Sequence, residues 1–213
     1  MTSDGSHTVR WNAGDVTYHS MHGAIQESQH VFMASGLDYF PKDKSLHIFE
    51  MGFGTGLNAL LALMNANHYK RHIHYTTVES RPLDSEITDK LNYPTLLDIP
   101  EQTFHTLHTA VFDNDILIST YFTLHKKKCK IQEFAHQRKY DLIFYDAFGP
   151  GTQPGLWQEE TLRPLYNQLK TGGLLVTYCA QGAFKRTLKK IGFEVIPLPG
   201  PSGKREITQA WKR

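Results

Sequence analysis

From residue 45 onward, short apolar runs alternate with longer amphipathic stretches. "SLHIFEMG" (45–52) reads as a buried strand and "LNALLALMNAN" (57–67) as a helix, with a glycine-rich turn between them. "IHYTTVES" (73–80) is a second strand. "PLDSEITDKLN" (82–92) then has helical spacing, with Asp84 and Glu86 in its first turn. The stretch 98–135 is less regular, but "DILISTYFTLHKK" (115–127) alternates apolar and polar residues as one or two strands would. "YDLIFYDAF" (140–148) is a third clear strand and breaks at "GPGTQPG". A helix is expected over 157–169, ending at Gly172-Gly173, followed by a strand in "GLLVTYCA" and an amphipathic helix in "GAFKRTLKKIG", closed by Gly192. "FEVIPLP" and "EITQAWK" are two final strands. Ahead of all this, residues 1–44 are polar with scattered aromatics, and hold a short strand and a helix over 24–35 that stops at Gly36.

Strands alternating with helices predict a Rossmann-like α/β fold with a mostly parallel, doubly wound sheet. The last two strands are joined by a Gly/Pro loop too short for a crossover helix, so they must pair as an antiparallel hairpin. The 213 residues suit a single domain, 1–213, with 1–44 as an N-terminal extension on the substrate side.

Composition narrows the function. The two cysteines, Cys129 and Cys179, form no CxxC pattern, which argues against a disulfide scaffold and a zinc module and suits a reducing cytoplasm. No run of eighteen apolar residues suggests a membrane span, and "MTSDGSHTVRW" lacks a signal-peptide core. The net charge of +2 is mild, but basic residues cluster in "HKKKCK", "FKRTLKK", "GKRE" and the terminal "WKR". Such clusters permit a nucleic-acid partner and equally suit solvated faces. The pairs His72/His74 and His105/His108 have no accompanying cysteine or carboxylate cluster; they read as surface histidines, and no metal is expected.

The turn "FEMGFGTGLN" carries the first chemistry. Gly52, Gly54 and Gly56 are spaced G-x-G-x-G, unlike the G-x-G-x-x-G dinucleotide fingerprint, and no G-K-[ST] follows as in a P-loop. Glu50 stands two residues before the first glycine, where it would repel a phosphate. A ligand that is cationic and carries no phosphate fits better. S-adenosylmethionine, with its sulfonium, α-ammonium and ribose, is such a ligand. Glu79, ending the next strand, is placed to take ribose hydroxyls, a role it would also fill for NAD. At the end of the third strand, Asp146 shares this rim. Phe148, Pro150, Pro154 and Trp157 follow, with ring surfaces suited to a planar base.

"EMGFGTGLN", "DAFGPGTQPGLW", "GGLLVTYCAQGAFKRTLKKIGFEV" and "GPSGKREIT" together resemble the methyltransferase part of the bacterial MnmC/MnmD family, and "TYHSMHGAIQESQHVFMASGL" is similar to its N-terminal segment. The resemblance runs from about Thr17 to Arg205. It implies a class I S-adenosylmethionine-dependent methyltransferase acting on 5-aminomethyl-2-thiouridine at the wobble position of tRNA, with the anticodon stem-loop as partner. Longer members add an oxidase domain; this chain is too short to hold one, so a stand-alone form is expected, with a separate oxidase supplying the aminomethyl precursor. Phe53, Leu57 and Asn58 would join Glu50, Gly52, Gly54, Gly56 and Glu79 around the cofactor. Asp146 would accept an N–H from the amine, aim its lone pair and stabilise the charge that develops on nitrogen. With a reference pKa of about 3.9, an aspartate is a poor equilibrium base for an amine, so positioning is the larger effect. Tyr18 and His19 would line the uridine pocket with Phe148 and Pro150, while Lys204 and Arg205 would meet tRNA phosphates. One departure is Cys129-Lys130, where relatives carry "AD": Lys130 cannot accept a hydrogen bond from adenine. The rival readings are an N-methyltransferase of a small amine and a non-catalytic cofactor- or RNA-binding module.

Overall fold

The computed structural model describes residues 1–11, 16–135, 138–203 and 205–213. A two-stranded ribbon, β1 (Arg10–Trp11) and β2 (Val16–Thr17), precedes α1 (Ala24–Ser28), which runs on as π-helix through Gln29–Ala34. The expected helix over 24–35 is therefore present, wound more loosely in its second half. An eight-stranded sheet follows, in the order β5-β6-β4-β3-β7-β8-β10-β9.

Its centre is parallel: β3 (Leu46–Met51) lies between β4 (Ile73–Val78) and β7 (Tyr140–Tyr145), with β6 (Phe122–Lys127) beyond β4 and β8 (Leu169–Thr177) beyond β7. β5 (Asp115–Ser119) pairs antiparallel with β6. β9 (Glu194–Pro199) and β10 (Glu206–Trp211) form the antiparallel hairpin, and β10 inserts against β8. A mostly parallel sheet closed by an antiparallel hairpin is the architecture the apolar runs predict.

Alternation along β3 builds both layers of core. Leu46 and Ile48 pack with Leu57, Leu60 and Ala59 of α2 (Leu57–Tyr69), while Phe49 and Met51 face the opposite layer, where Leu162 and Leu165 of α6 (Glu159–Gln168) and Leu188 of α7 (Gly182–Ile191) are buried. By the same alternation Glu50 falls on the α2 face.

Two elements differ from the sequence pattern. α6 stops at Gln168 and β8 begins at once, because Leu169 pairs with Tyr140 and the register shift that follows absorbs Gly172, at φ 77°. Two short helices, α3 (Ser85–Thr88) and α4 (Tyr93–Leu96), precede α5 (Glu101–Thr109), a helix whose periodicity is too weak to read, since only Phe104 and Leu107 of its nine residues are buried.

Candidate functional site

A cleft of 1090 Å³ opens along the C-terminal ends of the parallel strands, where open α/β sheets bind ligands. The glycine turn after β3 forms its floor. Gly52, Gly54 and Gly56 have φ of 86°, 52° and 73°, the left-handed region that disfavours side chains. A Cβ at Gly54 would sit 3.2 Å from the Tyr18 ring, and one at Gly56 would sit 2.9 Å from His108 Nε2. The turn thus offers bare backbone to the cleft on one side and is tightly backed on the other. Phe53, Leu57 and Asn58 line the cleft with Gly52 and Gly54.

The two acids of the turn have different surroundings. Glu79 lines the cleft after β4; its carboxylate accepts the Gly54 N–H at 3.1 Å and the Arg81 N–H at 2.7 Å. Glu50 is 1% exposed and lies behind the wall that Met51 and Gly52 form. Burial, and then the charge of Asp146, push its carboxyl well above the usual carboxylate range, while nearby Asn58, Tyr75 and Thr77 act the other way. None of the three closes a well-formed hydrogen bond to Glu50: both Glu50 oxygens, Asn58 Oδ1, the Tyr75 hydroxyl and Thr77 Oγ1 are buried without a partner among the described residues. From its place ahead of the glycines, Glu50 is expected to be a carboxylate facing the ligand. In the folded chain it is a buried group favouring its protonated form, and of the two acids only Glu79 borders the cleft.

Asp146 follows β7, half-buried on the α2 face, and accepts a 2.8 Å hydrogen bond from Asn58 Nδ2. Asn58, 3% exposed, is therefore tied to Asp146 as well as bordering the cleft. The loop after Asp146 is pinned from behind: Trp157 Nε1 donates to the Phe148 carbonyl at 2.8 Å, and the Tyr178 hydroxyl donates to the Ala147 carbonyl at 2.7 Å. Trp157 is 4% exposed and packs in the α6/α7 core. It supports the loop and offers no ring to a ligand, unlike the sequence reading. Pro150 lines a shallower depression beside the cleft, shared with Arg205. Lys204 lies outside the described residues.

The N-terminal segment covers the mouth. Tyr18 meets Phe148 edge-on at 5.0 Å between ring centroids, and Trp11 joins them at 5.6 Å from Phe148 and 6.4 Å from Tyr18. The Arg81 guanidinium lies over Trp11. His19 is buried, with Nε2 2.8 Å from Thr55 Oγ1, so it also braces the glycine turn. Trp11, Arg81, Glu27 and Tyr178 are cleft residues that sequence reasoning missed; Glu27 and Tyr178 stand in stretches that carry the family resemblance, but no local pattern marks them, and only the fold gathers the four.

Two histidine expectations are corrected. His108 is mostly buried, its Nε2 3.2 Å from the Thr55 carbonyl, and burial lowers its pKa to about 4. As the carbonyl can only accept, the neutral ring carries its proton on Nε2. His74 stacks on His47 and lies 3.1 Å from Asp115 Oδ2. Behind the turn, buried Lys126 donates to the Leu107 and His108 carbonyls at the end of α5, and burial lowers its pKa to about 8. Among the described residues no group of His, Cys, Asp and Glu could hold a metal, and no helix is long and apolar enough to cross a membrane.

At the far end of the cleft Lys130 stands beside Gln132 and Glu133, and the Lys130 N–H donates to Glu133 at 3.4 Å. Side-chain acceptors are thus present next to the departure at Lys130. Bare left-handed glycines and the Glu79 carboxylate held at the cleft wall fit a cationic, ribose-bearing ligand. A family model described as S-adenosyl-L-methionine-dependent methyltransferase matches residues 98–213. The chain belongs to this family.

The methyltransferase is 26% identical over 208 residues to the tRNA 5-methylaminomethyl-2-thiouridine biosynthesis bifunctional protein MnmC of Campylobacter hominis, covering 91% of this chain and 30% of that one. It is 28% identical over 213 residues to the protein of the same name from a Marinomonas species, covering 92% and 31%. The chain thus spans about a third of the length of these relatives. The crystal structure of MNMC2 from Aquifex aeolicus superposes with a TM-score of 0.84 at 24% identity, covering 100% of this methyltransferase and 68% of that chain. That likeness establishes the Rossmann-like methyltransferase fold.

Proposed function

We propose that the methyltransferase acts on the exocyclic amine of 5-aminomethyl-(2-thio)uridine at the wobble position of tRNA, giving the 5-methylaminomethyl form. One observation carries the reading: the Asp146 carboxylate, fixed by Asn58, stands in the cleft between the glycine turn and the Trp11–Tyr18–Phe148 rings. A carboxylate at the meeting point of a cofactor turn and an aromatic wall is what methylation of an amine on a stacked base requires. The similarity to MnmC proteins supports the choice of amine.

S-adenosylmethionine, when bound, supplies an electrophilic methyl group on a sulfonium. The turn 52–58 and Glu79 hold it. Asp146 accepts an N–H from the neutral amine and turns the nitrogen lone pair toward the turn. As positive charge develops on nitrogen, the carboxylate stabilises it, and Asn58 keeps the carboxylate from rotating away. Phe148 and Tyr18, packed edge-on against each other, form an aromatic wall beside the base, and His19 braces the glycine turn through Thr55. Arg205, in the loop between β9 and β10, contacts phosphates of the anticodon stem-loop. Residues 1–213 work as one domain in which 1–44 supply the substrate side. A tRNA substrate implies the cytoplasm, and a separate oxidase is the source of the free aminomethyl group.

The test is transfer of labelled methyl from S-adenosylmethionine into tRNA from cells lacking this enzyme, with nucleosides resolved by mass. Label in methylaminomethyl-uridine with wild type, lost in Asp146→Ala, supports the reading. Intact cofactor binding without label in tRNA refutes it, and leaves a small-amine enzyme or a binding module.

A further inference from the structure

Gly149 and Tyr178 line two hollows. One is the cleft; the other is the depression, of 610 Å³, on the far side of the Asp146 loop. Its size lies within the roughly 300–1,000 Å³ that small-ligand sites span, and the chemistry above leaves it without an occupant. Pro150, Cys179 and Ala180 line it and are buried or half-buried, while Gln181, Arg205 and Glu206 stand exposed around them. The depression thus has an apolar floor and a polar rim. Lys185 of α7 pairs with Glu206, so the charge of the rim is that of Arg205. Gln181 is the N-cap residue of α7, yet its side chain does not cap the helix, and its amide offers an acceptor and two donors at the rim.

The ridge between the two hollows carries little side chain. The Thr152 and Gln153 N–H groups both donate to the Gly149 carbonyl, at 2.8 and 3.0 Å, which closes the ridge into a turn. A Cβ at Gly151 would meet nothing within 4 Å beyond its chain neighbours. A polynucleotide strand with one base in the cleft crosses this ridge unobstructed, and its next nucleotide falls into the depression. Bases of unstacked loops are recognised by packing against their faces and by hydrogen bonds to their edges, with phosphates held by cations. Floor, amide and guanidinium supply these three contacts in one place.

We infer that the depression is a second nucleotide subsite, which takes the base adjoining the target uridine. Pro150 and Ala180 pack against that base, the Gln181 amide bonds its edge, and Arg205 meets its phosphate. The inference rests on the tRNA reading above and adds a residue, Gln181, that recognises a base other than the one modified. This neighbouring nucleotide takes no part in methyl transfer. Its contacts are equal in ground and transition states, so they act on KM and leave kcat alone.

The test is steady-state methyl transfer to an anticodon stem-loop bearing 5-aminomethyluridine, with wild type and Gln181→Ala. Two further RNAs lack the base on one or the other side of the target. On intact RNA, Gln181→Ala raises KM about fivefold, as loss of one hydrogen bond would, with kcat within about twofold. One of the abasic RNAs raises the wild-type KM by a similar factor, and on that RNA Gln181→Ala adds no further rise. Because Gln181 is exposed, the Tm and the Kd for S-adenosylhomocysteine hold. Equal KM values for wild type and Gln181→Ala on intact RNA overturn the inference. So does a penalty that persists on both abasic RNAs, which would set Gln181 against the backbone. In either case wild type still methylates the RNA, and the tRNA reading stands. If wild type transfers methyl to no RNA, the tRNA reading fails and the inference fails with it.

Discussion

The bond between Asn58 and Asp146 separates two accounts of the same residue. From the motif, Asn58 belongs to the cofactor; in the folded chain its amide holds the Asp146 carboxylate, proposed above as catalytic, at 2.8 Å. Asn58→Ala removes that donor. A hydrogen bond to a charged group contributes about 1.5–3 kcal/mol. Asp146 is only half-buried, so water replaces part of the lost bond, and the low end of that range applies. At about 1.4 kcal/mol per factor of ten, kcat falls roughly 10- to 30-fold. Stability changes little, because Ala gains helix propensity in the first turn of α2 while a small buried amide is lost. Steady-state methyl transfer gives kcat and KM, and calorimetry with S-adenosylhomocysteine gives Kd. The expected pattern is a reduced kcat with Kd within about threefold. Asn58→Asp keeps the shape but places a third carboxyl beside Glu50 and Asp146, and is expected to be at least as damaging. The positioning argument is refuted if Kd rises tenfold or more while kcat holds, or if Asn58→Asp stays fully active.

The turn and its backing yield two more expectations. Gly54→Ala forces a side chain into φ 52° and against Tyr18 at 3.2 Å, so it should abolish S-adenosylhomocysteine binding while costing about 1–2 kcal/mol of stability; calorimetry and thermal melts separate the two, and retained binding would show that the bare backbone is not the contact surface. His108 has its pKa depressed from 6.5 to about 4, so the unfolded chain takes up a proton first as pH falls. Its contribution is fully present above pH 6.5 and is lost between there and about 4, to a total of roughly 3 kcal/mol. Denaturant melts of wild type and His108→Gln across that window should show a shallower acid loss in the variant, and parallel curves would refute the assignment.

Several features of this protein follow from the chain alone. Apolar runs of five to six residues separated by amphipathic stretches demand a buried parallel sheet with helices on both faces, because nothing else hides strands that are apolar on both sides. The short loop ahead of "EITQAWK" demands the terminal hairpin, since a crossover will not fit. The glycine turn and the aspartate ending "YDLIFYD" were legible as a site because strand ends of a doubly wound sheet share one rim. What a side chain does on that rim was not legible, because it depends on which face the strand presents and what lies beyond it. Period-two alternation sends Glu50 inward, beneath the wall, where burial and Asp146 favour its protonated form; the motif shows an acid but not its surroundings. Trp157 looks like a ligand platform in sequence and is a core residue because the 3-10 turn at Pro154–Trp157 tucks it under the loop. Glu27, Trp11 and Arg81 carry no local signal. They reach the cleft through contacts between segments far apart in sequence, and only tertiary packing makes such contacts specific.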